Sequence, residues 1–124
     1  MKVDRKAEFK LVAERSRFFA VLFPSGSEED VLKMVRLKKG EHRKANHHCW
    51  AFRGASGERS RDDGEVGHPG RVLLELLRRH DLEGGLLVSR VFGGVKLGVG
   101  GVSRAFREAG EGAIAEFKIN QSKK

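Results

Sequence analysis

With 124 residues, the chain has room for one hydrophobic core, which excludes a second domain of ordinary size. Its 25 Lys and Arg residues outnumber its 17 Asp and Glu residues, and the formal charge of +8 favours polyanionic partners such as nucleic acid. The only cysteine, Cys49, cannot form an internal disulfide, and the longest apolar run, residues 18–23, is too short to cross a bilayer. We therefore expect a cytoplasmic protein that has no transmembrane segment.

The first predicted elements are two strands and a helix. Residues 7–13 and 17–23 carry β-branched and aromatic side chains next to turn residues, a pattern typical of strands. The helix begins after Ser27, a suitable N-cap, has acidic residues 28–30 in its first turn and ends near Gly40. Its inner face is expected to consist of Val31, Met34 and Val35.

A third strand, residues 46–52, is followed by a polar stretch and a second helix. The polar, glycine-rich stretch, residues 54–64, is expected to be mobile. The second helix has Pro69 near its start and ends before Gly84. Its buried residues are expected to be Val72, Leu73, Leu76 and Leu77, and its exposed ones Arg71, Arg78 and Arg79.

The last predicted strand, residues 85–92, leads into a glycine-rich loop and a third helix. The glycines of this stretch are Gly93, Gly94, Gly98, Gly100 and Gly101. Small and apolar residues recur in the helix at spacings of three and four, which predicts one packed face. That face contains Val102, Ala105, Phe106, Ala109, Ala113, Ile114 and Phe117.

The order of these elements predicts an α+β fold, a two-layer α/β sandwich with about four strands and three helices. We expect the helices to cover one face of the sheet and the other face to be wet or bound to a partner. A single domain is expected over residues 1–119, followed by a basic tail at residues 120–124, with no second domain. The sequence leaves the oligomeric state open.

The glycine-rich loop has the features of an anion-binding site. Glycine permits positive φ and lets a ligand approach the backbone, while a helix start offers free N–H groups and a positive dipole end. No acidic residue lies between Glu83 and Glu108, a segment whose basic residues are Arg90, Lys96, Arg104 and Arg107. The alternative is a loop bent for packing that binds nothing. Neither GxGxxG nor the P-loop motif is present, so a Rossmann or P-loop site is excluded.

A second group of polar residues lies in NHHCWAF, residues 46–52. Because side chains alternate along a strand, His47 and Cys49 share one face and His48 lies on the other. The spacing matches no standard zinc pattern, and a single cysteine on an apolar strand is typical of a core residue. We therefore predict neither a metal site nor a cysteine nucleophile.

Three carboxylates follow in RDDGE, residues 61–65. Asp62, Asp63 and Glu65 surround Gly64 in a predicted sharp turn. Such a turn can hold Mg²⁺, orient His47 or pair with the basic loop. Pairing with the loop is the interpretation we favour.

Three stretches, ANHHCWAF, RDDGEVGHPGRVLLELL and VSRVFGGVKLGVGGVSRAFREA, resemble in order and glycine placement the signature motifs of the IMPACT/YigZ family. The resemblance covers about residues 45–116 and, with SRFFAVLF, most of the chain. It implies a fold like the second domain of small-subunit ribosomal protein five, also found in domain four of elongation factor G and in GHMP kinases. It further implies a basic surface for nucleic-acid or ribosome contact. The eukaryotic member acts in translational control, where it competes for the activator of an amino-acid-starvation kinase.

The family's motif positions map onto this sequence with a few departures. Val66 replaces a proline, residues 67–70 are one residue shorter than the family pattern, and Ser103 replaces an apolar residue. Neither the ferredoxin-like carboxyl-terminal domain of many bacterial members nor the amino-terminal interaction domain of eukaryotic members is expected here. The matching positions are His47, Cys49, Trp50, Asp62, Asp63, Gly64, Glu65, Arg90, Phe92, Gly93, Gly94, Lys96, Leu97, Gly98, Gly100, Gly101 and Arg104.

These observations predict a non-enzymatic, translation-associated module that contacts RNA, the ribosome or a translation-factor complex. A translation-regulatory protein is a further expected partner. Neither a cofactor nor contact with a membrane is expected. The predicted phosphate-binding residues are Arg90, Gly93, Gly94, Lys96, Gly98, Gly100, Gly101 and Arg104. The predicted supporting residues are His47, Asp62, Asp63 and Glu65.

Two alternatives stay open. One is a nucleotide- or phosphate-binding enzyme related in fold to GHMP kinases, with Mg²⁺ held by Asp62, Asp63 or Glu65. The other is a protein-interaction module that acts through an exposed face of the sheet.

Overall fold

The computed structural model describes the backbone of residues 1–122 and the side chains of residues 1–120. It confirms the α+β class with three helices, although the sheet has five strands where about four were predicted. Residues 120–122 of the expected tail lie in the last helix, and residues 123–124 lie outside the described residues. The elements are β1 Ala7–Ala13, β2 Ser16–Phe23, α1 Glu28–Glu41, β3 His47–Gly54, β4 Gly57–Arg61, α2 Pro69–Arg79, β5 Gly84–Val91 and α3 Gly98–Ser122.

The sheet is antiparallel throughout, with the strand order β1-β2-β5-β3-β4. β5 lies at its centre, hydrogen-bonded to β2 on one side and to β3 on the other, and all eight of its residues are buried. A central strand covered on both faces is normally a continuous apolar run. Ser89 and Arg90, near the end of β5, are exceptions that need polar partners inside the protein.

The main core lies between one face of the sheet and helices α2 and α3. Alternate residues of β2, such as Phe18, Ala20 and Leu22, point into this core. Phe18 packs edge-on against Phe106 of α3, with ring centroids 5.2 Å apart. Every residue predicted to be buried on α2 and α3 is buried, because the apolar spacing of three and four places those residues on one side of each helix.

Helix α1 packs on the opposite face of the sheet, which corrects the expectation that one face would be wet or free for a partner. Val31 and Val35 of α1 are buried there against apolar side chains of three strands. The central strands are apolar on both faces, so both faces need cover. The strand residues under α1 are Val21, Phe23, Trp50, Phe52 and Leu87.

The stretch predicted to be mobile contains strand β4, which pairs with β3 from Trp50–Arg61 to Gly54–Gly57. Its sequence, GERSR, has low strand propensity, and three of its five residues are exposed. Backbone hydrogen bonds to β3 therefore define this edge strand, and periodicity alone could not identify it.

The predicted N-cap of α1 is confirmed, since Ser27 Oγ accepts a hydrogen bond from the Asp30 N–H at 3.4 Å. The carboxyl-terminal turn contains a buried charge that was not predicted. Lys38 Nζ lies 2.8 Å from Glu8 Oε2 on β1 and 2.8 Å from Glu41 Oε2. This cluster ties the end of α1 to the edge of the sheet.

Within residues 1–122, no helix is both long enough and apolar enough to cross a membrane.

The Lys38 cluster predicts how stability depends on pH. The hydrogen bond from Lys38 lowers the pKa of Glu8 below 4.5, so the pair stabilises the fold above that pH and the contribution is lost as pH falls through the lowered pKa. Burial opposes the charge of Lys38, but hydrogen bonds to Glu41 and Glu8 outweigh it and raise its pKa above 10.5. That contribution is present below pH 10.5 and is lost as pH rises through the raised pKa.

We expect Lys38→Met to lower the free energy of unfolding by about 1 kcal/mol at neutral pH, a modest loss because water screens the half-exposed Glu8. Urea unfolding across the pH range should show a flatter decline below pH 4.5 in the variant. Lys33→Met, at an exposed position of α1, should leave the profile unchanged. If the free energy of unfolding declined below pH 4.5 as steeply in Lys38→Met as in the parent chain, this role of the cluster would be contradicted.

Candidate functional site

The candidate site lies where β5 ends and α3 begins. β5 ends at Val91 and α3 begins at Gly98, so residues 92–97 form the connection. The Phe92 N–H donates to Asn46 Oδ1 at 3.0 Å, which fixes the direction in which the chain leaves the sheet. The loop and the first turn of the helix therefore have a defined position beside the start of β3.

Structural causes account for three glycines, two in this connection and one at the first residue of α3. A Cβ atom at Gly93 would lie 2.1 Å from the carbonyl carbon of Arg15, in the turn between β1 and β2, and the Gly93 N–H donates to Ser16 Oγ at 3.2 Å. Gly94 and Gly98 have φ values of +88° and +74°, where other residues are strained. Packing and backbone conformation therefore account for these three positions.

Gly100, in the first turn of α3, has a different environment. A Cβ atom there would meet only the side chain of Arg104, with Nη1 at 3.3 Å. Glycine costs a helix about 1 kcal/mol relative to alanine, and nothing in the local packing requires it here. Gly98, Gly100, Lys96 and Arg104 are all exposed. The helix start thus presents bare backbone, whose first N–H groups have no partner within the helix, beside two cations.

Arg90, which the sequence grouped with those cations, is buried. Its Nη1 lies 2.9 Å from Glu65 Oε2, and the two side chains are only 7% and 5% exposed. Its Nη2 donates to Ser16 Oγ at 3.4 Å, and its guanidinium carbon lies 5.5 Å from the Phe18 ring centroid and 5.6 Å from that of Phe92. Arg90 therefore anchors the end of β5, while Lys96 and Arg104 present their charges to solvent.

The carboxylates of the turn at residues 62–65 bind backbone N–H groups. These bonds fix the shape of the turn and connect it to β3 and α2. Within residues 1–122, no cluster of three His, Cys, Asp or Glu side chains is arranged to hold a metal ion. The carboxylate oxygens accept hydrogen bonds from three backbone N–H groups: Asp62 Oδ1 from that of Gly70 at 2.8 Å, Asp63 Oδ2 from that of His48 at 2.8 Å and Glu65 Oε1 from that of Val66 at 3.0 Å.

His47 connects this turn to the buried ion pair. Its Nδ1 lies 2.9 Å from the Asp63 carbonyl oxygen, which can only accept, so Nδ1 carries the proton of this hydrogen bond. Its Nε2 lies 3.7 Å from Glu65 Oε2. Ser103 Oγ on α3 donates to the Gly67 carbonyl at 2.7 Å and fixes the helix to the same turn. The turn, β5 and α3 are therefore held together by side-chain contacts.

Cys49 and His48 lie in the interior. Cys49 is fully buried, its Sγ donates to the Asp62 carbonyl at 3.1 Å, and burial raises the pKa of its thiol. The thiol thus stays protonated at neutral pH, and its burial agrees with the predicted core position. His48 Nδ1 lies 2.7 Å from Ser89 Oγ, and burial lowers its pKa, so the ring is neutral at neutral pH.

A cavity of about 350 Å³, which we call the entrance cavity, lies beside the first turn of α3. Its rim includes Val66, Phe92 and Val99, which are 50%, 46% and 59% exposed. These apolar residues have neither a helical nor a strand period, and the feature that they share in the sequence is that a glycine follows each of them. The lining residues are Val66, Arg90, Phe92, Lys96, Leu97, Gly98, Val99 and Val102.

Comparison with known proteins gives consistent matches. A family model described as the Impact N-terminal domain matches residues 14–114. A Thermus thermophilus protein described as an "IMPACT family member in pol 5'region" is 41% identical over 96 residues, which is 77% of this chain and 52% of that protein. The chain spans about half the length of the curated relatives it matches.

Two solved structures share the fold. A crystal structure described only as that of a hypothetical protein is 27% identical, with a TM-score of 0.85 over 91% of this chain and 58% of the other. The two-domain translational regulator Yih1 is 24% identical, with a TM-score of 0.52 over 91% of this chain and 47% of its own. At that identity, the likeness to Yih1 shows the fold alone.

Gly93, which packing requires, and Gly100, which packing does not require, should respond differently to substitution by alanine. Gly93→Ala places a methyl group against the Arg15 backbone, and we expect a loss of about 1–3 kcal/mol in the free energy of unfolding. Gly100→Ala meets only a flexible side chain and should be neutral or stabilising by up to about 1 kcal/mol. Urea unfolding of both variants measures the difference, and equal losses would contradict it.

The buried ion pair predicts that a small substitution in one partner greatly lowers the free energy of unfolding. Glu65→Gln keeps the shape of the side chain but leaves the Arg90 charge buried without a counter-ion, which should cost about 3–5 kcal/mol in the free energy of unfolding. Glu58→Gln, in the exposed pair between Glu58 and Arg78, is the matched control and should cost much less. Equal losses in the two variants would show that the buried pair has no special role.

Proposed function

Because the chain belongs to the Impact N-terminal domain family, as its motifs predicted, we propose that it is a translation-associated regulatory module that binds RNA in the cytoplasm, including RNA exposed on the ribosome. The description of Yih1, which has the same fold, as a translational regulator supports this class of role. The bacterial relatives carry only family names, so the proposal depends on the surface of this chain.

The observation that carries the proposal is the open first turn of α3. Exposed glycine backbone at Gly98 and Gly100 lies beside Lys96 and Arg104, and the segment from Gly84 to Arg107 has no acidic residue. Backbone N–H groups at a helix start, together with Lys and Arg side chains, are common phosphate contacts in nucleic-acid complexes. A chain with a formal charge of +8 is also attracted to a polyanion over a distance.

The arrangement of the other polar groups supports binding over catalysis. The carboxylates of residues 62–65 hold backbone N–H groups, Cys49 is buried, and His47 is held by the Asp63 carbonyl. These groups fix the turn at residues 62–65 against β3 and α2. We therefore assign the contact with RNA to Lys96, Arg104 and the backbone of the first turn.

The proposal predicts that Lys96→Glu combined with Arg104→Glu weakens RNA binding. The double variant removes two cations that bind phosphate and adds repulsion, so affinity at low salt should fall. The salt slope should decrease by about 0.7 for each RNA phosphate that the variant no longer neutralises. Fluorescence anisotropy with labelled RNA, repeated over a salt series, measures both quantities.

The matched control is Lys33→Glu combined with Arg36→Glu, which makes the same change of charge at exposed positions of α1 on the other face of the sheet. If both double variants lose affinity equally, the attraction is non-specific. If neither loses affinity, the first turn of α3 is not the contact surface.

A further inference from the structure

The entrance cavity has more apolar surface than the binding of a phosphate requires. Eight large apolar side chains of residues 1–120 are exposed, and three of them, Val66, Phe92 and Val99, lie around this one opening. Exposed apolar residues grouped around a recess indicate a binding site, whereas scattered ones need no explanation. The walls are completed by the buried Val102 and the half-buried Leu97, so the recess suits a flat or apolar group.

Phe92 is the aromatic side chain of this cavity. Its ring is 46% exposed, although the guanidinium carbon of Arg90 lies 5.6 Å from its centroid. The hydrogen bond from its N–H to Asn46 fixes the backbone at this residue, and the Arg90 guanidinium contacts the ring. An aromatic ring with free surface is the kind of platform on which nucleobases stack.

Two further features of the wall point to a polar, anionic ligand. Arg90 lines the cavity with a side chain only 7% exposed, and its Nε is a buried donor without an acceptor among the described residues. Lys96 lines the same cavity, and the exposed start of α3 at Gly98 forms part of its wall. A ligand in the cavity would therefore meet both apolar side chains and positive charge.

We propose that the entrance cavity takes one unpaired nucleotide of a single-stranded RNA. The base stacks on Phe92 between the valine side chains, and its phosphate lies at the first turn of α3 near Lys96 and Arg104. At about 350 Å³, the cavity is near the lower end of the usual range for ligand sites, about 300–1,000 Å³, which suits a single base. A base within a duplex cannot enter, since its faces are already stacked and its edge is paired.

This inference rests on the proposed RNA binding but adds a selectivity for unpaired RNA that the proposed function does not require. An acidic protein segment with one apolar side chain is the competing occupant, because it offers the same pairing of charge and apolar surface. The base is favoured because the aromatic ring lies next to the predicted phosphate contact, as in sites for single-stranded nucleic acid.

The test is fluorescence anisotropy on the whole chain with two probes, a single-stranded RNA of roughly 12 nucleotides and the matching duplex, at one salt concentration. The single strand should bind about tenfold more tightly than the duplex. Phe92→Ala should weaken binding of the single strand about tenfold and leave the duplex unchanged, because it removes stacking but no charge. Phe92→Tyr, which keeps the ring, should bind like the parent chain.

The control variant is Val12→Ala, which removes an exposed apolar side chain on β1, and thermal unfolding of each variant shows that the fold is retained. Equal affinity for the two probes, with no effect of Phe92→Ala, would overturn the inference and leave the proposed RNA binding intact. Binding of neither probe would overturn both. A synthetic peptide of Glu residues around one Phe that binds through Phe92, while the single-stranded RNA does not, would assign the cavity to a protein partner instead.

Discussion

The buried ion pair between Arg90 and Glu65 is the interaction on which the rest of the site depends. It places a charge on the central strand, where Glu65 and the hydroxyl of Ser16 offset the cost of removing that charge from water. Because Glu65 belongs to the turn after β4 and Arg90 to β5, the pair fixes that turn against the sheet. The guanidinium also lies between the rings of Phe18 and Phe92, so one side chain connects the main core to the rim of the entrance cavity.

Residues that look alike in the sequence of this segment have different roles in the structure. The basic residues between Glu83 and Glu108 lie in one acid-free segment, but Arg90 serves the fold and Lys96 and Arg104 face solvent. The glycines divide in the same way. Gly93 is required by the turn between β1 and β2, whereas Gly100 leaves bare backbone at a helix start. The architectural interpretation therefore applies to Gly93 and Arg90, and we propose the ligand-binding interpretation for Gly100, Lys96 and Arg104.

Local patterns predicted much of the fold. Apolar spacing identified α2 and α3 with their buried faces, and Ser27 marked the start of α1. Features that depend on distant partners were missed. The side of the sheet on which α1 packs is not encoded in α1, and the polar edge strand β4 is defined by its hydrogen bonds to β3. The burial of Arg90 depends on Glu65, 25 residues away along the chain, and the entrance cavity forms only once the turn, the loop and α3 are together.

We propose that the exposed first turn of α3 receives phosphate. Amide chemical shifts recorded by NMR during titration with single-stranded RNA are the decisive measurement, because they report on each backbone N–H group separately. We expect the largest shifts at Gly98, Gly100 and Gly101, with smaller shifts along the rim of the entrance cavity. Shifts confined to α1 or to the edge strands, with the start of α3 unperturbed, would contradict it.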